Sequence, residues 1–176
     1  MTDQSGRLHL AQINIGRLRA ETGDPMIAEF MGALDEINAL AERSPGFVWR
    51  FMTEDGNATA VRPFEDELLL INMSVWESVE SLGDYVYRSD HTGYLRRRRE
   101  WFERIKEAIF ALWWVPAGHR PTVAEGIERI DHLRAKGPTP HAFTFRQPFS
   151  PATSDLATGD LASQDLEGDI RNECWV

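Results

Sequence analysis

Three polar side chains on one predicted strand carry the first chemical signal in this sequence. Between residues 68 and 76 the side chains alternate, and Asn72, Ser74 and Trp76 fall on one face while the opposite face is wholly apolar. A carboxamide, a hydroxyl and an indole N–H can each donate a hydrogen bond to a ligand oxygen, so the mixed face predicts a pocket. Asn72 and Trp76 are four residues apart, which is about 13 Å along a strand, so they can contact a ligand from two sides.

His91 is the strongest candidate for a side chain that accepts a proton. It follows Asp90, whose carboxylate can hold the imidazole in one tautomer and raise its basicity. The alternative is that His91 caps a helix or faces solvent.

An arginine run, Arg96 to Arg99, lies one helical turn beyond His91. Such a run can bind a carboxylate or phosphate, but four consecutive helical positions face four directions, so at most two of them can enter one site. The alternative is a solvated face stabilised by ion pairs with Glu100 and Glu103, each four residues from an arginine.

The other histidines predict no metal site. His9, His119, His132 and His141 are scattered and do not form a spacing such as HxxxH or HExxH. We therefore expect structural or surface roles for them. The sequence also has no glycine-rich phosphate loop, no GxSxG turn and no cysteine paired with a histidine in a nucleophile motif.

The elements that position these residues follow the order β-α-β-β-α-β, which predicts an α+β, ferredoxin-like fold. Strands are expected over residues 8–18, 47–53, 68–76 and 108–115, and helices after Asp24-Pro25 and after Ser78, with a bend at Ser89-Asp90. A capping box, Thr122 to Glu125, begins a C-terminal helix, and residues 143–149 are expected to add an edge strand. Further candidates for ligand contact on the strands are Asn14, Trp49 and Trp113.

Composition limits the function classes. The chain has 176 residues, 42% of them hydrophobic, and a net charge of −9, which argues against nucleic acid or an anionic membrane as a partner. No run is apolar enough to span a bilayer, and the first ten residues do not form a secretory signal, so we expect a cytoplasmic protein. A single cysteine, Cys174, excludes an internal disulfide.

Residues 1–149 are expected to form one domain and residues 150–176 an acidic tail. The tail carries six acidic residues and one arginine, and by composition it is predicted to be disordered. It ends Cys174-Trp175-Val176, an apolar and oxidisable end on a charged tether. The tail is therefore either a solvated segment or a segment that docks.

Residues 8–149 resemble the family known as domain of unknown function 3291. The resemblance rests on the runs HLAQINIGRLRA, FVWR, SVWESVESL, YRSDHTGYLRRRREWF and LWWVPAGHRPTVAEGIERIDHLRAKGPTPHAFTF. This family is a branch of the dimeric α+β barrel superfamily. The resemblance therefore implies a homodimer in which the sheets of two ferredoxin-like protomers pack together.

The pattern Asn72-x-x-x-Trp76, followed by a helix with arginines, is similar to that of the antibiotic-biosynthesis monooxygenases. These enzymes oxidise polyketide phenols to quinones without a cofactor. The resemblance implies that Asn72 and Trp76 hold a substrate carbonyl and stabilise an enolate, helped by Arg97 or Arg96. Some barrel relatives bind haem through a helix histidine, which would make His91 an iron ligand. The structural alternative is that Trp76 is a core aromatic and Asn72 binds backbone.

Three functions follow from these patterns. The first is an oxygenase-like enzyme acting on a small aromatic or polyketide-like molecule. The second is a dimeric barrel that binds a small molecule without chemistry. The third is a protein that binds or modifies its own tail near Cys174-Trp175, since a tethered peptide has a high effective concentration.

Overall fold

The computed structural model describes residues 6–52 and 64–151. Four strands form one antiparallel sheet with the order β2-β3-β1-β4, which confirms the predicted ferredoxin-like arrangement. The elements in chain order are β1 (Leu8–Arg17), α1 (Pro25–Arg43), β2 (Phe47–Arg50), β3 (Leu69–Trp76), α2 (Val79–Arg88), α3 (His91–Trp101), β4 (Phe110–Pro116) and α4 (Val123–Lys136). The last residue of the strand predicted over residues 47–53 and the tail from residue 152 lie outside the described residues.

The helices begin where local sequence signals place them. The side chain of Asp24 accepts the Met26 N–H at 2.8 Å, and Pro25 occupies the first helical position of α1. Ser78 caps α2 in the same way, and the helix after β3 is interrupted at Ser89 and Asp90, so that α2 and α3 are separate helices. These caps determine the residue at which each helix begins.

One face of the sheet, which we call the α4 face, is apolar and is covered in part by α4. Alternate residues of the strands point toward this helix, and the buried members are Ala11, Ile13, Ile15, Ile71, Met73, Val75, Ala111, Trp113 and Val115. The close approach depends on Gly126, because a Cβ at that position would lie 2.5 Å from Ile13 Cδ1. The helix therefore packs with its backbone almost against β1.

The opposite face, which we call the α1–α3 face, carries the mixed polar and aromatic side chains. Leu10, Trp76, Leu112 and residues of α2 and α3 form a buried cluster there, and a second cluster joins α1 to the end of α3. The site candidates on β1 and β3 therefore lie between the sheet and three helices.

The C-terminal extension adds less sheet than the sequence predicts. Phe143 exchanges two backbone hydrogen bonds of 2.8 Å with Leu112, which makes a single bridge beside β4 rather than a strand over residues 143–149. In the part of the chain that the structure describes, no helix is both long and apolar enough to cross a bilayer. The homodimer stays a prediction.

Candidate functional site

Four polar side chains form a square in the middle of the sheet, on the α1–α3 face. Gln12 and Asn14 come from β1, and Ser74 and Asn72 are their direct antiparallel partners on β3. Paired residues of neighbouring strands have side chains about 5 Å apart, so the four groups are mutual neighbours. We call this group the polar square. The alternation of the two strands predicts it, once the pairing register is known.

Hydrogen bonds join three corners of the polar square to Trp76. The Gln12 amide nitrogen donates to Asn72 Oδ1 at 2.8 Å and to Ser74 Oγ at 3.0 Å, and the Trp76 indole N–H donates to Ser74 Oγ at 2.8 Å. Trp76 is fully buried, with its ring against Phe47. Its N–H is thus directed at a neighbouring side chain.

Asn14 is the fourth corner, and its environment is unusual. The residue is fully buried, yet among the residues that the structure describes neither its Oδ1 nor its Nδ2 has a hydrogen-bond partner. Gln12 Oε1 is also buried and has no hydrogen-bond partner among the described residues. A buried polar group without a partner costs roughly 1–3 kcal/mol, and native structures contain few of them. Asn72, beside Asn14, is only partly buried.

Helix α3 carries the ionisable side chains over this face. His91 is 1% exposed, and its ring lies 4.8 Å from that of Tyr85, which in turn stacks on Trp76 at 5.1 Å. The other end of α3 brings Arg98, 7% exposed, beside Gly16 of β1 at a small cavity of about 20 Å³. Because Gly16 and Asn14 share a face of β1, Arg98 lies at the Asn14 end of the sheet and His91 at the Trp76 end.

The packing around His91 does not fit a haem ligand. An axial histidine needs open space beside the ring for the iron and the macrocycle. The His91 ring is instead enclosed and packed against Tyr85.

Arg97 lies on the outer surface of α3. Two of its nitrogens bind the Glu29 carboxylate at 2.6 and 2.8 Å, it also pairs with Glu100, and its guanidinium covers Trp101 at 4.9 Å. The hydrogen bonds that Arg97 donates to Glu29 and Glu100 raise the pKa of Arg97 above its ordinary value. Arg96 is exposed as well. Arg96 and Arg97 therefore fit the alternative in which the arginine run is a solvated face stabilised by ion pairs.

The buried member of the arginine run is Arg98, which the sequence reasoning missed. The helical period contains the signal, since His91, Leu95 and Arg98 are spaced by four and three residues and all three are buried. Counting from His91 would have selected Arg98 rather than its neighbours.

The two remaining tryptophan candidates lie on the α4 face. The Trp113 indole N–H donates to Glu125 Oε1 at 3.0 Å, and Trp49 packs beside Phe51. The sheet separates both from the polar square. Burial tends to raise the pKa of Glu125, but hydrogen bonds from His119, Trp113 and the Thr122 backbone lower it overall.

An open groove of about 820 Å³ lies elsewhere, between the end of β4 and the C-terminal extension. Its floor includes Ile109, Phe110 and Leu133, and its charged members are Arg104, Lys106, Glu107 and Arg146. Neither the groove nor the small cavity at Arg98 is lined by Asn72 or Trp76.

Comparisons with known proteins identify the family. The crystal structure of SnoaB, a cofactor-independent oxygenase from Streptomyces nogalater, aligns with a TM-score of 0.43 and 15% identity, over 65% of this chain and 96% of that one. A Nitrosomonas europaea protein assigned to the antibiotic biosynthesis monooxygenases aligns with a TM-score of 0.42 and 9% identity, over 67% and 97% of the two chains. No curated protein matches. The model of the domain of unknown function DUF3291 matches residues 9–158, so the chain belongs to the DUF3291 family.

Proposed function

We propose that the protein is an oxygenase-like enzyme that binds a small aromatic or polyketide-like molecule at the polar square and needs no cofactor. The observation that carries the proposal is the Asn14 carboxamide, fully buried and without a hydrogen-bond partner among the described residues. A ligand oxygen beside Asn14 would accept its N–H and offset the cost of burial. The partly buried Asn72 lies directly opposite, where it can contact the same ligand.

The side chains around the polar square supply the groups that this chemistry needs. The Asn14 and Asn72 amides donate to a substrate carbonyl that becomes an enolate, and the Arg98 guanidinium at the Asn14 end adds positive charge. His91 lies at the Trp76 end with its ring enclosed against Tyr85, so in this proposal the proton that the substrate loses passes to solvent and not to His91. Trp76 keeps its indole N–H on Ser74, so in this proposal it positions the polar square instead of touching the oxyanion.

The reaction balances without any reductant. A tricyclic phenolic ketone with an activated CH₂ group loses one proton to solvent and becomes an enolate. The enolate transfers one electron to O₂, and the two radicals combine to form a C–O bond. Loss of the second C–H proton cleaves the O–O bond, so that one oxygen atom remains as the quinone carbonyl and the other leaves as water.

Oxygen uptake with dithranol, a phenolic anthrone, tests the proposal. The wild-type protein should consume one O₂ per quinone formed, faster than the buffer blank. Asn72→Ala should lower the rate by about 10²-fold, because one oxyanion donor is removed. Its free energy of unfolding should fall by roughly 1–3 kcal/mol, because one N–H of buried Gln12 loses its acceptor, so the variant should remain folded at the assay temperature.

Two neighbouring arginines form a matched pair for the same assay. Arg98→Met should lower the rate strongly, whereas Arg97→Met removes the same charge from the outer surface and should leave the rate unchanged. Equal rates in wild type, Asn72→Ala and Arg98→Met would overturn the proposal. Tight binding of the anthrone without any quinone would instead support a binding barrel.

The groove at the C-terminal extension favours the tail as a second ligand. We propose that the acidic segment from residue 152 binds there, because the groove carries three cationic side chains and only one acidic side chain. A peptide of residues 152–176 should bind the chain truncated after Pro151, and added salt should weaken the binding. Lys106→Glu with Arg146→Glu should abolish it. Binding that is insensitive to both changes would contradict this role, and intact mass would reveal any modification near Cys174.

A further inference from the structure

Three ligand-type side chains meet on the outer side of α4, away from the polar square. Glu128 and His132 are four residues apart and therefore lie on one face of the helix, one turn from each other. His141 returns from the following segment to complete the group. One ligand atom from each residue lies within 4.8 Å of those of the other two, and the two imidazole rings are 4.7 Å apart.

The backbone after α4 holds His141 in this position. Gly137 ends the helix with a φ of 72°, and Thr139 and Ala142 exchange backbone hydrogen bonds of 2.9 and 3.2 Å around a tight turn. Ala142 and Phe143 are fully buried, and Phe143 forms the bridge to β4. The chain therefore leaves His141 little freedom to move away from α4.

The donor groups suit a transition metal. Nε2 of His132 lies 2.7 Å from Thr139 Oγ1, a contact that lets this nitrogen carry the proton and leaves Nδ1 its lone pair. Nε2 of His141 lies 3.0 Å from both carboxylate oxygens of Glu128. A metal ion would replace the proton between these two groups.

We propose that Glu128, His132 and His141 bind a divalent transition-metal ion of the Zn²⁺ class. Two imidazoles and one carboxylate are a ligand set that zinc uses, and the exposure of Glu128 and His141 leaves a fourth position for water. The ion joins α4 to the segment that carries the Phe143 bridge, so it clamps the C-terminal extension onto the sheet. This site is independent of the polar square, which lies on the other face.

Arg129 is the competitor that the ion must displace. Its Nη1 contacts the ring nitrogens of His141 and lies 3.1 Å from a Glu128 oxygen, while the guanidinium lies over Trp113. A cation at this position opposes a second cation. Arg129→Met should therefore tighten metal binding by about tenfold or more, because it removes a positive charge beside the ion.

Zn²⁺ titration of the full, tag-free chain by calorimetry, after treatment with a chelator, tests the proposal. A Cys174→Ser background removes the thiol as a competing ligand. We expect one Zn²⁺ per chain, and a rise in the thermal midpoint of roughly 5–10 °C at a hundredfold excess over Kd. The conservative Glu128→Gln, on an exposed helix face, should weaken binding at least tenfold without unfolding the protein.

His119 provides the matched control. It is another half-exposed histidine with a carboxylate partner, Glu125, at 2.9 Å. Among the described residues, however, no third metal-ligand side chain lies close to this pair. His132→Ala and His141→Ala should abolish the stoichiometric site, and His119→Ala should leave it unchanged. No zinc binding at 100 times the protein concentration, or equal binding in all three variants, would overturn the proposal.

Discussion

At the scale of single residues, Ser74 is the shared hydrogen-bond acceptor of the polar network. Its hydroxyl oxygen accepts from both the Gln12 amide and the Trp76 indole, and all three side chains are fully buried. A serine at this position therefore keeps Trp76 in the core and leaves Asn72 and Asn14 to face the helices. The mixed face of β3 predicts that Ser74 contacts a ligand, but its hydrogen bonds to Gln12 and Trp76 give it a supporting role.

Ser74→Ala should lower the free energy of unfolding by roughly 1–3 kcal/mol, because it leaves the buried indole N–H without its acceptor. Urea denaturation measures the change. Ser81→Ala is the control, since among the described residues that hydroxyl bonds to Ser78 at a half-buried helix end and should matter much less. A loss in Ser74→Ala no larger than in the control would mean that the network is not stabilising.

Glu125 connects three parts of the chain through one carboxylate. It accepts from the Trp113 indole, pairs with His119 and closes the capping box of α4. Its pKa is lowered in the folded protein, so its contribution to stability is present above the ordinary value near 4.5 and is lost as the pH falls through the lower folded pKa.

Glu125→Gln should therefore flatten the acid limb of the stability curve. We expect the wild type to lose more stability than the variant between pH 5 and pH 3, measured as the urea midpoint at each pH. Parallel curves for the two proteins would contradict the lowered pKa.

At the scale of elements, the sequence predicts what local signals determine. Strand alternation, the caps at Asp24, Ser78 and Thr122 and the break at Ser89-Asp90 all depend on neighbouring residues, and the structure confirms them. The pairing of Asn14 with Asn72 depends on the register between strands almost sixty residues apart. The approach of His141 to His132 depends on how the turn after α4 folds back. Neither follows from local periodicity.

Gly126 determines how closely α4 packs on the sheet. Gly126→Ala places a Cβ 2.5 Å from Ile13 Cδ1 and 3.3 Å from Met73 Sδ, so we expect a loss of about 1–3 kcal/mol. Gly32→Ala on α1 is the control, because nothing lies within 4 Å and the better helix former should stabilise by about 1 kcal/mol. Ile13→Val removes the clashing methyl and should partly rescue Gly126→Ala. Equal stabilisation by both alanines would contradict the packing.

At the scale of the whole molecule, the α4 face bears on the predicted homodimer. In a dimeric barrel this face meets a second copy, but here α4 of the same chain covers the β1 and β4 half. Over the β2 and β3 half, Trp49 and Phe51 are only partly buried. We therefore expect the second copy to contact the β2 edge.

Light scattering during size exclusion tests this expectation. The wild type should have twice the chain mass of 20.1 kDa. Phe51→Glu should shift the protein toward the monomer, whereas Met26→Glu, at an exposed methionine on α1, should not. A wild type with the mass of one chain would contradict the dimer.

The proposed function depends on the Asn14 carboxamide being paired only when a ligand is present, and the stability of Asn14→Leu tests this most directly. Leucine has a similar shape and no polar atom. The variant should therefore unfold at higher urea, with a gain of roughly 1–2 kcal/mol, while Ile13→Val on the opposite face of the same strand loses about 1 kcal/mol. A loss of 2 kcal/mol or more in Asn14→Leu would show that the carboxamide is bonded inside the protein and would contradict the account.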